Sequence, residues 1–261
     1  MRLRNAVVLI TGASSGIGAA TALAFAKRRS RLSLCARRLD RLEAVAQRCR
    51  DRGAPDVTVR QVDVRRQAEA ATFVEAALHQ FERIDVLVNN AGLGWTGRLE
   101  DMPAEKAQEM VETNLLGTIW CCQAALPAMV AAKRGVIVNV ASAAGFRPTP
   151  YSSLYAATKA GLAAFGHALR GELSGTNVKV CTVYPGVTRT EFFATSGSRM
   201  VGPVYSTDWV ANLIVRTARW PRRDAIAFPL RLGHLVEPVL GGVLDHSLGE
   251  VRRKAQPELI R

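Results

Sequence analysis

Seven short runs of β-branched and other apolar residues recur along this chain, at 6–10, 31–36, 57–62, 84–89, 135–141, 178–184 and 225–228. Between them lie longer stretches of helical period, at 16–29, 39–52, 66–81, 103–132, 151–174 and 207–218. Alternation of this kind means βαβ units, whose parallel strands need long crossovers that are almost always right-handed. Several runs, Val86-Leu87-Val88 and Val136-Ile137-Val138 among them, are apolar at consecutive positions, as strands covered by helices on both faces require. The pattern predicts an α/β fold, a doubly wound parallel sheet of about seven strands flanked by helices. At 261 residues, without a repeat or a low-complexity linker, the chain reads as a single domain over 1–261. Within it, 188–210 reads as a substrate lid and 222–261 as a C-terminal appendage.

The chain carries 35 Lys and Arg against 22 Asp and Glu, a net +13. Such an excess suits a polyanion: nucleic acid, an anionic membrane surface or a phosphorylated small molecule. Its location narrows the choice, because residues 1–66 hold fifteen basic and five acidic side chains whereas residues 67–199 are balanced. No recognition helix or aromatic-basic motif accompanies the charge, so no nucleic-acid partner is expected. The apolar run over 225–244 is interrupted by Arg231, His234 and Glu237. A last strand and a helix closing a pocket or a subunit interface suit it better than peripheral membrane contact. Cys35, Cys49, Cys121, Cys122 and Cys181 lack C-x-x-C spacing and read as buried thiols. The four histidines, His79, His167, His234 and His246, show no ligand spacing, so no metal is expected. With no apolar signal region after Met1, a cytoplasmic protein is expected.

The first strand runs into Thr11-Gly12-Ala13-Ser14-Ser15-Gly16-Ile17-Gly18 and then into an alanine-rich helix. Holding a pyrophosphate requires a tight turn, close approach of the backbone, and N–H groups at a helix N-terminus. Gly12 permits the turn, Gly16 and Gly18 the close approach, and Ser14, Ser15 and Ile17 supply donors. About twenty residues on, a dinucleotide site needs a carboxylate for a free ribose 2′-OH or cations for a 2′-phosphate. Here Ala36 stands where the acid would be, and Arg37 and Arg38 follow at the switch from strand to helix. Their planar forks suit a phosphate, which predicts NADP(H) as cofactor. The other reading is a solvated basic face continued by Arg41.

Tyr155 and Lys159 lie four residues apart in the helical stretch and share a face. An ammonium near a phenol favours the phenolate, lowering a pKa that is ordinarily about 10 toward the range of acid–base work on a carbonyl or alcohol oxygen. Ser142 follows the fifth strand and Asn89-Asn90-Ala91-Gly92 end the fourth, both at the edge where open parallel sheets bind ligands. Asn114 falls inside an apolar helix, where an amide costs propensity, so its side chain or backbone carbonyl is expected to be in use.

Taken together, these motifs resemble the short-chain dehydrogenase/reductase family, in its NADP-preferring form with chains of about 250 residues. Its T-G-x-x-x-G-x-G matches Thr11 through Gly18, its N-N-A-G Asn89 to Gly92, its Y-x-x-x-K Tyr155 and Lys159, and its P-G Pro185-Gly186. The resemblance implies a Rossmann fold over at least 5–190, hydride transfer between nicotinamide and a carbonyl or secondary alcohol, and a homodimer or homotetramer. It implies a tetrad: Tyr155 as acid/base, Ser142 polarising the carbonyl, Lys159 lowering the tyrosine pKa and binding the nicotinamide ribose, and Asn114 holding a relay water. Asp63 and Val64 would meet the adenine ring, and Asn90, Ala91 and Gly92 the adenosine side. Pro185, Gly186, Thr188 and Thr190 would hold the nicotinamide amide and the pyrophosphate. Two positions depart from the family pattern: Thr188 stands where Val or Ile is usual, and Thr158 where Ser is common. A non-catalytic dinucleotide sensor or scaffold on the same fold is the alternative, against which the intact tetrad argues.

For the substrate, Trp95, Phe146, Pro148, Tyr151, Phe192, Phe193 and Met200 are candidate pocket residues, an apolar set with few charges. They predict a hydrophobic ketone, aldehyde or secondary alcohol; packing of a lid against the core is the plainer reading of any one of them.

Overall fold

The computed structural model describes residues 1–226 and 246–256. Its strands are β1 (Val7–Thr11), β2 (Arg31–Ala36), β3 (Val57–Gln61), β4 (Val86–Asn89), β5 (Gly135–Val140), β6 (Val178–Tyr184) and β7 (Asp224–Ile226). All pair in parallel, in the order β3-β2-β1-β4-β5-β6-β7. The helices are α1 (Gly16–Ala26), α2 (Leu39–Asp51), α3 (Gln67–Phe81), α4 (Ala104–Val111), α5 (Gly117–Ala131), α6 (Ser153–Glu172), α7 (Phe192–Ser196) and α8 (Thr207–Arg219).

Alternate residues of a strand face opposite sides, and β1 shows what that does here. Val8 and Ile10 join the core under α1, α2 and α8, while Val7 and Leu9 join the one under α3, α5 and α6. Helices cover both faces, which is why the central strands are apolar at nearly every position until their C-terminal ends, where Thr11, Asn89 and Asn139 stand. Because β1 is flanked by β2 on one side and β4 on the other, the crossovers leave it toward opposite faces, and a crevice opens beyond the strand C-termini.

The expected elements form, with shifted ends that have local causes. The first helix stops at Ala26, short of 29, because Arg29 turns left-handed at φ 60. The tetrad helix begins at Ser153 rather than 151, because Tyr151 is left-handed at φ 65. The expected helix 103–132 is divided by a π turn, Glu112–Leu116, which contains Asn114. The helical run Ala104–Ala131 is long and apolar enough to cross a membrane, but α5 packs Cys121, Cys122, Ala125 and Met129 into the core. All five cysteines are buried thiols. Only part of the expected last strand, through Ile226, and residues 246–256 of the appendage fall within the described residues.

Candidate active site

The crevice is a cleft of about 620 Å³, within the usual range for small-molecule sites. At one end lies the glycine turn. Gly12 is left-handed at φ 64, and a Cβ on it would sit 2.8 Å from the Ala91 Cα. A Cβ on Gly18 would sit 2.3 Å from the Gly12 carbonyl oxygen. The loop is tied to the end of β4: Asn90 Nδ2 donates to the carbonyls of Thr11 (2.9 Å) and Gly12 (3.2 Å), and Thr11 Oγ1 accepts from the N–H groups of Asn90 and Ala91, both at 3.0 Å. Ser15 precedes α1 without capping it, so the first-turn N–H groups have no side-chain acceptor and face the cleft as anion donors. A backbone cradle closed to any side chain, with uncapped donors at its rim, fits a dinucleotide pyrophosphate.

Arg37 and Arg38 stand at the mouth of this end. Arg37 Nη1 meets Glu109 at 3.0 Å. Arg38 donates to Ser15 Oγ at 2.8 Å and to Glu191 at 3.1 Å, and Arg41 shares Glu191 at 2.8 Å. Exposed pairs of this kind contribute little, so exchanging a carboxylate for a phosphate costs little. Asp63 is gripped by Arg65, with Nε to Oδ2 at 2.8 Å. Burial raises its pKa, but the adjacent guanidinium outweighs this and holds the carboxyl below its usual range.

The other end holds the acid–base candidates. Ser142 closes β5, its Oγ accepting the Ala144 N–H at 3.1 Å, and its hydroxyl bonds to Tyr155. Burial pushes the Tyr155 phenol up, and the Ser142 hydrogen bond pulls it partly back. Lys159 Nζ lies 5.9 Å from the Tyr155 ring centroid and donates to the Val140 carbonyl at 2.9 Å. Burial pushes its ammonium down to about 8. The expected lowering of the tyrosine by the lysine is therefore not seen in the protein alone. Both groups are desolvated, and the ammonium is spent on a backbone carbonyl. Phe192 of α7 lies against Tyr155, ring centroids 5.3 Å apart, and roofs the site.

Asn114 sits behind this end. Its Oδ1 accepts the Leu93 N–H at 2.8 Å, and its Nδ2 donates to Leu93 O at 2.9 Å and Thr158 Oγ1 at 3.0 Å. The amide is fully used in fixing the loop after β4. A relay water would therefore fall to its backbone carbonyl, in a turn whose hydrogen-bond register is shifted. Thr158 closes the link by donating to the Tyr155 carbonyl at 2.8 Å, so this departure from the family pattern is accommodated. Thr188 is buried and donates to the Gly186 carbonyl at 2.9 Å.

Of the residues singled out in the sequence, Gly12, Ser14, Ser15, Gly16, Ile17, Arg37, Arg38, Asp63, Val64, Asn90, Ala91, Gly92, Ser142, Tyr155, Lys159, Pro185, Gly186, Thr188 and Thr190 line one cleft. Gly18 packs beneath the loop. Gly92, expected on the adenosine side, lies instead at the catalytic end: a Cβ there would be 3.3 Å from Lys159 Nζ. The apolar pocket set is corrected more sharply. Trp95, Phe192 and Phe193 line the cleft, but Phe146, Pro148, Tyr151 and Met200 do not. Phe146 packs on Tyr184 with centroids 3.9 Å apart, and Met200 is exposed. In their place come Thr149, Ser152, Ser196, Ser198 and Arg252, which no local motif in the sequence marks.

A family model described as short chain dehydrogenase matches residues 6–200. An uncharacterised oxidoreductase of Staphylococcus saprophyticus is 38% identical over 191 residues, covering 72% of this chain and 76% of the relative. The 11-beta-hydroxysteroid dehydrogenase-like 4A protein of Arabidopsis thaliana is 41% identical over 187 residues, 71% of this chain and 62% of that protein. A solved short-chain dehydrogenase from Sphingobium yanoikuyae, in complex with NADPH, matches with a TM-score of 0.81 and 34% identity, over 92% of this chain and 96% of that one.

Proposed function

The chain belongs to the short-chain dehydrogenase/reductase family of oxidoreductases, and from that premise we propose that it interconverts a carbonyl and a secondary alcohol with NADP(H), using Tyr155 as acid and base. The observation that carries the reading is the meeting of the Tyr155 phenol, the Ser142 hydroxyl and the buried Lys159 in the same cleft as the glycine turn. When bound, the nicotinamide supplies or accepts the hydride. The rest falls to side chains. Ser142 orients a substrate oxygen toward the phenol, Tyr155 holds the proton that oxygen gains or loses, and Lys159 stabilises the phenolate once a cofactor brings polar groups into the dry site. Phe192 and Trp95 exclude water and favour an apolar body next to the reacting carbon.

Support for NADP(H) over NAD(H) comes from Arg37 and Arg38 beside the acid-free Ala36 position, and from the NADPH held by the Sphingobium yanoikuyae relative. Purified chain assayed against ketones, aldehydes and secondary alcohols, with both cofactors, tests the reading. Turnover of at least one substrate, with NADPH favoured over NADH, is expected. Tight NADPH binding without turnover of any member would favour the sensor or scaffold alternative.

A further inference from the structure

Apart from Lys159 at the catalytic end, one cation in the cleft faces no anion among the described residues. Arg252, on the helix over 246–255, lines the cleft, half-buried, and its partners among the described residues are neutral: Ser198 Oγ at 3.0 Å and Gln256 Oε1 at 3.4 Å. Burial weakens its hold on the proton, and no carboxylate among the described residues offsets this. The arginines at the phosphate end behave differently, since Arg37, Arg38 and Arg41 each face Glu109 or Glu191.

Its contacts place Arg252 at the substrate end. Gln256 is buried and donates to the Gly197 carbonyl at 2.8 Å, which fixes the helix against the segment after α7. That segment is joined to the catalytic helix, because Thr96 donates its N–H to Ser196 O at 2.9 Å and its hydroxyl lies 3.3 Å from Ser152 Oγ, three residues before Tyr155. A desolvated guanidinium without a counter-ion is costly to keep and suits an anion with its paired donors.

We propose that the substrate of this site carries a carboxylate away from its reacting carbonyl, and that Arg252 with Ser198 receives it. The inference rests on the oxidoreductase reading for the carbonyl but not for the anion. The substrate class becomes a keto acid or hydroxy acid with an apolar segment lying along Trp95 and Phe192.

The test sets acids of different spacer length, benzoylacetate, 3-benzoylpropionate and 4-benzoylbutyrate, against their methyl esters, with the cofactor present. In the wild type, at least one acid should exceed its ester in kcat/KM by about tenfold to a hundredfold, mostly through KM. Arg252→Leu should bring that ratio to within about threefold of unity, and Arg252→Lys, which keeps the charge but loses the paired donors, should fall between the two. Binding of the same pairs to NADP⁺-loaded protein, read by tryptophan fluorescence, separates the two claims. Acid binding that depends on Arg252 without turnover supports the anion site and removes the oxidoreductase reading. If Arg252→Leu does not fold, salt decides on the wild type, since acid binding should weaken with ionic strength while ester binding holds. Acids and esters taken alike by the wild type, or an acid preference that survives Arg252→Leu, would overturn the proposal.

Discussion

The two ends of the cleft solve opposite problems with opposite materials. At the phosphate end the structure is backbone: glycines with no room for a Cβ, uncapped N–H groups, and exposed arginines that hold carboxylates loosely. At the catalytic end it is buried side chain: a phenol, an ammonium and an amide with their polar atoms spent on one another or on main chain. An anion with a fixed shape is met by geometry that tolerates no change, and its charge by pairs that exchange easily. On the proposed reading, proton transfer would fall to groups held out of water, where small changes in surroundings move pKa values far.

Breaking the catalytic end should show most in pH. Lys159 is pushed down to about 8, while an unfolded lysine titrates near 10.5. Below pH 8 both states are protonated and folding bears the cost of drying the ammonium. Between about 8 and 10.5 the unfolded chain binds the extra proton, so stability rises with pH. The stability of the wild type relative to Lys159→Met should therefore climb by on the order of 3 kcal/mol across that window. Buried thiols such as Cys49 and Cys121, pushed up to about 12, act in the other direction above pH 9 but cancel in the difference. Urea melts of both proteins across the window check this, and a flat difference would refute the burial account.

Breaking the phosphate end should show first as a steric fault. Gly18→Ala puts a Cβ against the Gly12 carbonyl and the Asn90 amide, and should cost about 1–3 kcal/mol. Thermal melts read the loss, and titrations should show NADPH and NADH weakened alike. Arg38→Ala sharpens the contrast, because it should weaken NADPH by about tenfold while NADH changes little. Equal loss of both cofactors would remove the 2′-phosphate role. The smallest effect is expected from Glu191→Gln. Freed from the carboxylate they share, Arg38 and Arg41 should take NADPH a few-fold more tightly, within about fivefold, in the same titration.

How far each end could be read beforehand follows from the same contrast. Glycine turn and helix start are consecutive in sequence, because a pyrophosphate is held by one strand–turn–helix unit, and the paired arginines stand side by side at the end of the next strand. Tyr155 and Lys159 are one helical turn apart and were equally open to a local reading. The π turn at Asn114 was not, since the amide is set by Leu93 and Thr158, which lie 21 and 44 residues away. The substrate end was read least well. Phe146 and Met200 sit in apolar neighbourhoods of the motifs but outside the cleft, whereas Arg252 reaches it, and meets Ser198, on a helix docked from the far end of the chain.

The division of labour between the two ends is tested most directly by one variant read twice. Tyr155→Phe removes a single oxygen from the catalytic end and leaves the glycine turn and the arginines as they are. NADPH consumption with the best carbonyl substrate should fall by about 10²–10⁴-fold, while NADPH affinity by direct titration stays within a few-fold of the wild type. Turnover that survives the substitution, or NADPH affinity that collapses with it, would contradict the account.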